Sequence, residues 1–309
     1  WESFLEHVLP DAETRLYVQR FAGYALSGDV REQVFMLMYG TGANGKSTFL
    51  ETLKALLGDY SHKAEFCMFL QAKGEQGRKG GARPDVLQLL GKRLVLAIES
   101  AEGRALDVAI VKELTGGDTV TARGLYSNEI TQFRPQSKLV LAANHRPRIS
   151  DGTEAIWRRV HEVPFTVTIP EGDRDPDMAD RLREPDELAG VLAWAVDGCR
   201  AWHTLGGLKP PAAVVAASRA YRTVEDFLSP FLEAKCVQDR AAGSPAGALF
   251  RAYQSWCAEI EDEPRSKTAF GRALEEHGFR QSRQPGTGAR LWYGVRLSDM
   301  LDTDESSQL

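Results

Sequence analysis

Cysteine is scarce in this sequence: Cys67, Cys199, Cys236 and Cys257 are scattered among 309 residues without a close C-x-x-C pair. Such spacing suggests neither a zinc site nor a disulfide framework, and free thiols suit a reducing, intracellular setting such as a host cytoplasm. Long apolar runs are missing as well. No uninterrupted stretch approaches the roughly 20 residues that span a bilayer, and the opening WESFLEHVLPD lacks the basic and apolar regions of an export signal, so no membrane partner is expected. An excess of basic charge is also absent. A formal net charge of -5 argues against a polybasic nucleic-acid coat, while leaving room for Lys and Arg gathered on one inner surface. Beginning at Trp1 rather than Met, the chain reads as a piece of a longer one.

What is present is enough apolar material, 43% of residues, for one large core and an extra small domain. Phe4, Leu5, Val8, Leu16, Val18, Phe21, Ala22 and Ala25 fall near helical spacing around a break at Pro10 and Asp11, which predicts a helical collar over 1–30. From Val34 to Val167 short apolar runs (VFMLMY, RLVLAIES, SKLVLAAN, RRVHEVPF) alternate with helical or Gly-rich stretches, as strands of a mainly parallel α/β sheet do. This predicts a main domain over 31–170. A helical region over 171–240 follows, containing LREPDELAGVLAWAVDGCRAW, and a boundary is expected at AAGSPAG, residues 241–247. The remainder, 241–309, reads as helix, helix, strand pair and polar tail, and no segment repeats another. Residues 71–84, QAKGEQGRKGGARP, are a loop, read either as a solvated linker or as a phosphate contact through Arg78, Lys79 and Arg83.

Between a strand-like and a helix-like run stands YGTGANGKST. Gly40 to Ser47 fits G-x-x-x-x-G-K-[ST] in full, with strand before and helix after, the context that raises the motif above chance. Gly40 opens it, and Thr41, Gly42, Ala43 and Asn44 curl the backbone so that successive N–H groups can face an anion. Gly45 then leads into the helix at its positive dipole end. In such a loop Lys46 reaches the β and γ phosphates and Ser47, followed by Thr48, binds Mg²⁺, so ATP with Mg²⁺ is the expected ligand.

A phosphate loop of this kind needs an acid on a neighbouring strand to hold metal and attacking water. Glu99 closes the apolar run RLVLAIES and is assigned both tasks, with Glu102 in reserve. The run SKLVLAAN ends in Asn144, whose amide can hold the water or γ-phosphate; the alternative is an ordinary turn residue. Arg158 and Arg159 precede the next apolar strand, either as the guanidinium that a phosphoryl transition state needs or as surface salt-bridge formers. TVTAR and ITQFR flank LYSNE as two strands flank a turn. Arg123, Tyr126, Ser127 and Asn128 there suit a phosphate backbone and a base face, though a purely structural hairpin fits nearly as well.

The order GTGANGKST, LVLAIES, KELTGGDTVTARGLY, KLVLAANHRP and GTEAIWRRV-x₃-PF resembles the superfamily 3 helicases, specifically the phage, plasmid and poxvirus primase-helicases. The resemblance implies an α/β fold with an AAA+-like, three-layer P-loop core, a parallel-rich sheet, an N-terminal helical segment and a C-terminal winged-helix domain over about 244–297. It further implies an ATP-dependent replicative DNA helicase in phage or plasmid replication. Six identical subunits would form a ring with ATP at each interface, Lys46, Ser47, Glu99 and Asn144 from one subunit, and Arg158 or Arg159 from the next. Hairpins would draw single-stranded DNA through the channel at a DNA fork, 3′ to 5′ by family precedent, with a primase domain upstream or in trans. The tail leaves two readings open. Arg280, Arg283 and Arg290 around QPGTG make it basic enough for DNA, whereas Glu259, Glu261 and neighbouring acids suit docking to protein. A transporter ATPase fails because LTGGDT follows rather than precedes Glu99. A GTPase lacks its N-K-x-D. An ATP-binding DNA assembly module with little or no hydrolysis remains the rival from another class.

Overall fold

The computed structural model describes residues 1–71, 82–99, 104–126, 129–149, 153–283 and 288–298. They fall into two compact units, one of Trp1–Ile149 with Glu154–Tyr221, the other of Thr153 with the described residues from Arg222 on.

The first unit opens with α1 (Glu2–Val8) and α2 (Ala12–Leu26). The Asp11 carboxylate caps α2 by accepting from the Thr14 N–H at 2.8 Å, and Pro10 ends what precedes it. Then come β1 (Phe35–Tyr39), α3 (Lys46–Leu57), β2 (Ser61–Lys63), α4 (Pro84–Leu87), β3 (Leu94–Ile98) and α5 (Val108–Thr115). A hairpin of β4 (Val120–Arg123) and β5 (Ile130–Phe133) leads to β6 (Lys138–Ala143), α6 (Glu154–Trp157), β7 (Val160–Pro164), α7 (Met178–Arg181), α8 (Pro185–Leu205) and α9 (Ala212–Glu225).

Five strands make one parallel sheet in the order β2-β3-β6-β1-β7. Its central strands are apolar almost throughout because both faces are covered. Met36, Met38, Leu96 and Val140 point to a core shared with α1, α2, α3 and α8. Their neighbours Phe35, Leu37, Val95 and Leu141 point to another, closed by α5, the hairpin and Tyr221. Residues 1–30 and the helices up to Tyr221 therefore lie in the same unit as the sheet.

Two glycines let α2 and α8 meet backbone to backbone. A Cβ on Gly23 would stand 2.1 Å from the Cys199 nitrogen, and one on Gly198 2.1 Å from the Gln19 carbonyl oxygen.

The second unit holds α10 (Leu228–Lys235), β8 (Cys236–Pro245), α11 (Ala246–Glu259), α12 (Lys267–Glu276), β9 (Arg280–Arg283) and β10 (Arg290–Leu297). Its antiparallel sheet has the order β8-β10-β9, and Phe231, Leu249, Tyr253, Phe270 and Trp292 form its core. The boundary expected at 241–247 is crossed by β8. Gly, Ser and Pro there suggest a turn, but pairing with β10 supplies hydrogen bonds that local composition does not report, and a register shift at Tyr293 and Gly294 absorbs the misfit. Among the described residues, no helix is long and apolar enough to cross a membrane.

Gly198→Ala is expected to cost about 1–3 kcal/mol by overpacking and to lower the thermal midpoint by about 5 °C; an unchanged midpoint would refute the close approach. A second expectation concerns Asp226, which accepts from the Leu228 and Ser229 amides at 3.1 Å each and faces His277 Nε2 at 3.4 Å. The hydrogen bond with Asp226 raises the His277 pKa. The stabilisation is thus complete below about pH 6.5, the unfolded value, and is lost as pH rises through the folded one. In urea unfolding, His277→Gln should lose about 1 kcal/mol at pH 6 and less at pH 9.

Candidate functional site

Parallel strands that lie side by side end side by side. β3, β6 and β1 are neighbours, with Ile98 and Met38 both registered against Ala142, so the residues that follow them, Glu99, Asn144 and Gly40, meet at the carboxyl edge of the sheet. That edge is where ligands of α/β sheets bind.

The loop after β1 needs its glycines for separate reasons. A Cβ on Gly40 would stand 2.3 Å from both the Asn44 side chain and the Phe165 carbonyl oxygen. Gly42 takes φ +108 and Gly45 φ +80, left-handed conformations that other residues adopt only with strain. Gly45 is also pressed on α1, 2.6 Å separating its Cβ position from Val8 Cγ1. The N–H of Ile169 donates to the Ala43 carbonyl at 2.7 Å and pins the outer limb. Thr41 and Ser47 are exposed and Thr48 half-buried.

Lys46, the first residue of α3, is 6% exposed. Its Nζ donates to Gly40 O at 2.6 Å, Asn44 Oδ1 at 3.0 Å and Asn144 Oδ1 at 3.1 Å. Burial pushes its pKa down to about 8 against the opposing pull of Glu99. Glu99 Oε2 accepts from the Asn144 N–H at 2.7 Å and the His145 N–H at 2.8 Å, with His145 Nδ1 at 4.0 Å. Asn44, Lys46, Ser47, Glu99 and Asn144 line a cavity of about 290 Å³.

The structure thus gathers Lys46, Ser47, Glu99 and Asn144 but leaves Arg158 and Arg159 elsewhere. Those two precede β7, and Arg159 O accepts from Phe35 N at the start of β1, so they stand at the opposite edge of the sheet. The length of a five-residue strand, about 16 Å, separates that edge from the loop. Arg158 is exposed, with Nη2 3.5 Å from Gln33 Oε1. Arg159 is 7% exposed, donates to Ala155 O and has a buried Nε without a partner.

At the hairpin, Arg123 pairs in register with Ile130. Leu125, Tyr126 and Ile130 are 63%, 107% and 64% exposed, and Tyr126 takes φ +56, an unusual conformation for a bulky residue. Ser127 and Asn128 lie outside the described residues, as do Glu102, Arg78 and Lys79. Arg83 is not available to a phosphate: its guanidinium is held by both Glu113 oxygens at 2.8 Å.

One feature was not anticipated. Arg146, two residues past Asn144, binds both oxygens of the fully buried Glu162 at 2.8 Å and lies over the Tyr39 ring at 4.3 Å. This ties the Asn144 turn to β7 and to the residue just before Gly40. The only local signal was an arginine in ANHRP, and its partner is 16 positions away on another strand.

A protein family described as being of unknown function (DUF5906) matches residues 38–159, a stretch that contains the phosphate-type loop, Glu99, Asn144 and both arginines. The chain is 29% identical over 271 residues to "Putative helicase 022R" of Frog virus 3, covering 82% of this chain and 27% of that protein. It is 33% identical over 162 residues to "Putative helicase L207/L206" of Acanthamoeba polyphaga mimivirus, covering 52% of this chain and 16% of that one. The chain therefore spans about a quarter or less of these relatives. Among solved structures, the apo C-terminal region of NrS-1 superposes with a TM-score of 0.53 at 13% identity, covering 96% of this chain and 75% of that one, a likeness of fold.

Replacing Arg146 by Met strands the Glu162 carboxylate in a buried site and is expected to cost about 3–5 kcal/mol in chemical denaturation. The double variant Arg146→Met/Glu162→Leu should recover most of that loss. A double variant no better than the single one would show that the pair is not what holds the turn.

Proposed function

We propose that this chain is the motor portion of an ATP-dependent replicative DNA helicase of superfamily 3 type, with an AAA+-like core. The observation that carries the reading is the meeting of Lys46, Glu99 and Asn144 at one pocket formed by three adjacent strand ends. The Lys46 ammonium is buried among three neutral carbonyl oxygens, with no carboxylate within ion-pair distance among the described residues. A buried cation without an anion suits an anionic ligand such as the phosphates of ATP. The loop glycines and the amino end of α3 fit the same group. The Ser47 hydroxyl and the Glu99 carboxylate are hard oxygen donors that suit Mg²⁺, which when bound supplies positive charge to the phosphate oxygens.

In this reading Lys46 exchanges its carbonyl partners for phosphate oxygens, while Glu99 and the Asn144 amide orient the attacking water. The missing guanidinium comes from a second copy. Arg158 is the residue exposed to reach it, and the buried Arg159 supports the start of β7. Such a cation supplied in trans is worth on the order of 10³ to 10⁵ in rate. A closed ring, a homo-hexamer in this family, satisfies every site. The hairpin then faces single-stranded DNA at a fork, with Tyr126 stacking on a base and Arg123 meeting the phosphates, and Ser127 and Asn128 are proposed as further DNA contacts from the sequence alone. Three helices with a three-stranded antiparallel sheet support a winged-helix reading of the second unit. A primase domain belongs upstream or in trans.

A second reading, an ATP-binding DNA assembly module with little turnover, is favoured by the engagement of Glu99 Oε2 with two backbone amides. Turnover separates the two. Single-stranded DNA is expected to stimulate ATP hydrolysis, with Lys46→Ala and Glu99→Gln each lowering it at least about 100-fold. Tight binding without hydrolysis in the intact chain would favour the module. Mixing Arg158→Ala with Lys46→Ala subunits should restore part of the rate; no restoration counts against a shared site.

A further inference from the structure

Helix α9 buries only two of its side chains, Val214 and Tyr221. Tyr221 is fully buried in the core that holds Phe35, Leu37 and Leu141, and the Trp157 ring meets it edge-on at 5.2 Å. Filling that core asks only for an apolar ring. A hydroxyl there costs desolvation unless it is bonded, so its partner is informative. That partner is the Pro147 carbonyl oxygen, to which the Tyr221 hydroxyl donates.

Pro147 lies three residues past Asn144, in the turn that also carries His145 and Arg146. The Arg146 guanidinium stands 4.3 Å from the Tyr39 ring and 5.5 Å from the Tyr221 ring. The acid that binds Arg146 is held by the same helix. Glu162 lies on β7, at the edge of the sheet, and its N–H donates to the Ser218 hydroxyl at 2.9 Å. An edge N–H has no strand beyond it and takes its partner from outside the sheet.

Ser218 and Tyr221 are three residues apart and so share one face of α9. The turn is fixed at its ends by β6, before Asn144, and by the bridge of Arg148 to Ala105, after Pro147. Between those ends, the shared face of α9 meets Pro147 directly and Arg146 both directly and through Glu162.

We propose that α9 is a positioning element of the Lys46 pocket. The Tyr221 and Ser218 hydroxyls hold the turn so that the Asn144 N–H stays on Glu99 and the Asn144 side-chain oxygen stays on Lys46. Neither residue touches the ligand; both act through Asn144. The effect on turnover rests on the nucleotide reading of the pocket, whereas the effect on the turn does not.

The test is amide hydrogen exchange of the whole chain without nucleotide, resolved to single amides. Tyr221→Phe keeps the ring and removes the hydroxyl. It should speed exchange at Asn144 and His145, whose N–H groups bind Glu99, about tenfold, while Leu37 and Val95 in the sheet keep their rates. Ser218→Ala should act at the same two amides, and Ser218→Thr, which retains the hydroxyl, should match the parent chain. In steady-state turnover with Mg²⁺ and ATP, Tyr221→Phe should lower kcat about tenfold and leave KM within about twofold, because orientation is lost rather than phosphate binding. Equal acceleration throughout the sheet signals a general loss of packing and overturns the proposal. Unchanged exchange at both amides, or a Ser218→Thr chain as fast as Ser218→Ala, overturns it equally, as does an unchanged kcat in a chain that turns over. The expected exchange pattern in a parent chain without turnover refutes the ATPase reading and leaves the positioning by α9 standing.

Discussion

Asn144 makes two bonds that hold the site together. Its main-chain N–H donates to Glu99, and its side-chain oxygen accepts from Lys46. The acid at the end of β3 and the cation at the start of α3 are thereby fixed to the strand that lies between β3 and β1. Such an arrangement is possible only because the three strands are adjacent and parallel, so that all their carboxyl ends open on one side. An antiparallel neighbour would have put one of the three groups at the far edge of the sheet.

The support for that residue is itself electrostatic. Arg146 carries the turn after Asn144 into a bidentate pair with Glu162, in a region where burying either charge alone would cost several kcal/mol. Tyr39 beneath the guanidinium ends the strand that feeds the phosphate-type loop. Loop, acid, amide and arginine therefore form one connected set, and the ion pair is one of the links that tie it to β7.

The parts of this chain that could be read directly were those whose cause is local. Gly40 to Ser47 carries its backbone requirements in its own residue types, and the runs ending in Tyr39, Ile98 and Ala143 announce buried strands. Asp11 marks the start of α2 because capping is a contact three residues long. The parts that could not be read depend on distant partners. β8 looks like a turn until β10 is beside it, and the Arg146–Glu162 pair joins the turn after β6 to β7 across the intervening β1, a meeting no local pattern reveals. Arg158 and Arg159 are equal in the sequence, yet the phase of β7 exposes one and buries the other. Arg83 looked like a loop cation and is instead clasped by Glu113.

The wall behind Gly45 has an implication for where this protein can be cut. Val8 and Phe4 press so closely on that glycine that α1 acts as the backstop of the loop, and Trp1 stacks on Phe49 one turn into α3. Any shortened version starting at β1 would keep every residue of the Gly40–Ser47 loop and still lose the surface that α1 presses against it. The leading helices are thus joined to the loop by close packing, and a fragment that keeps the loop's shape must include them.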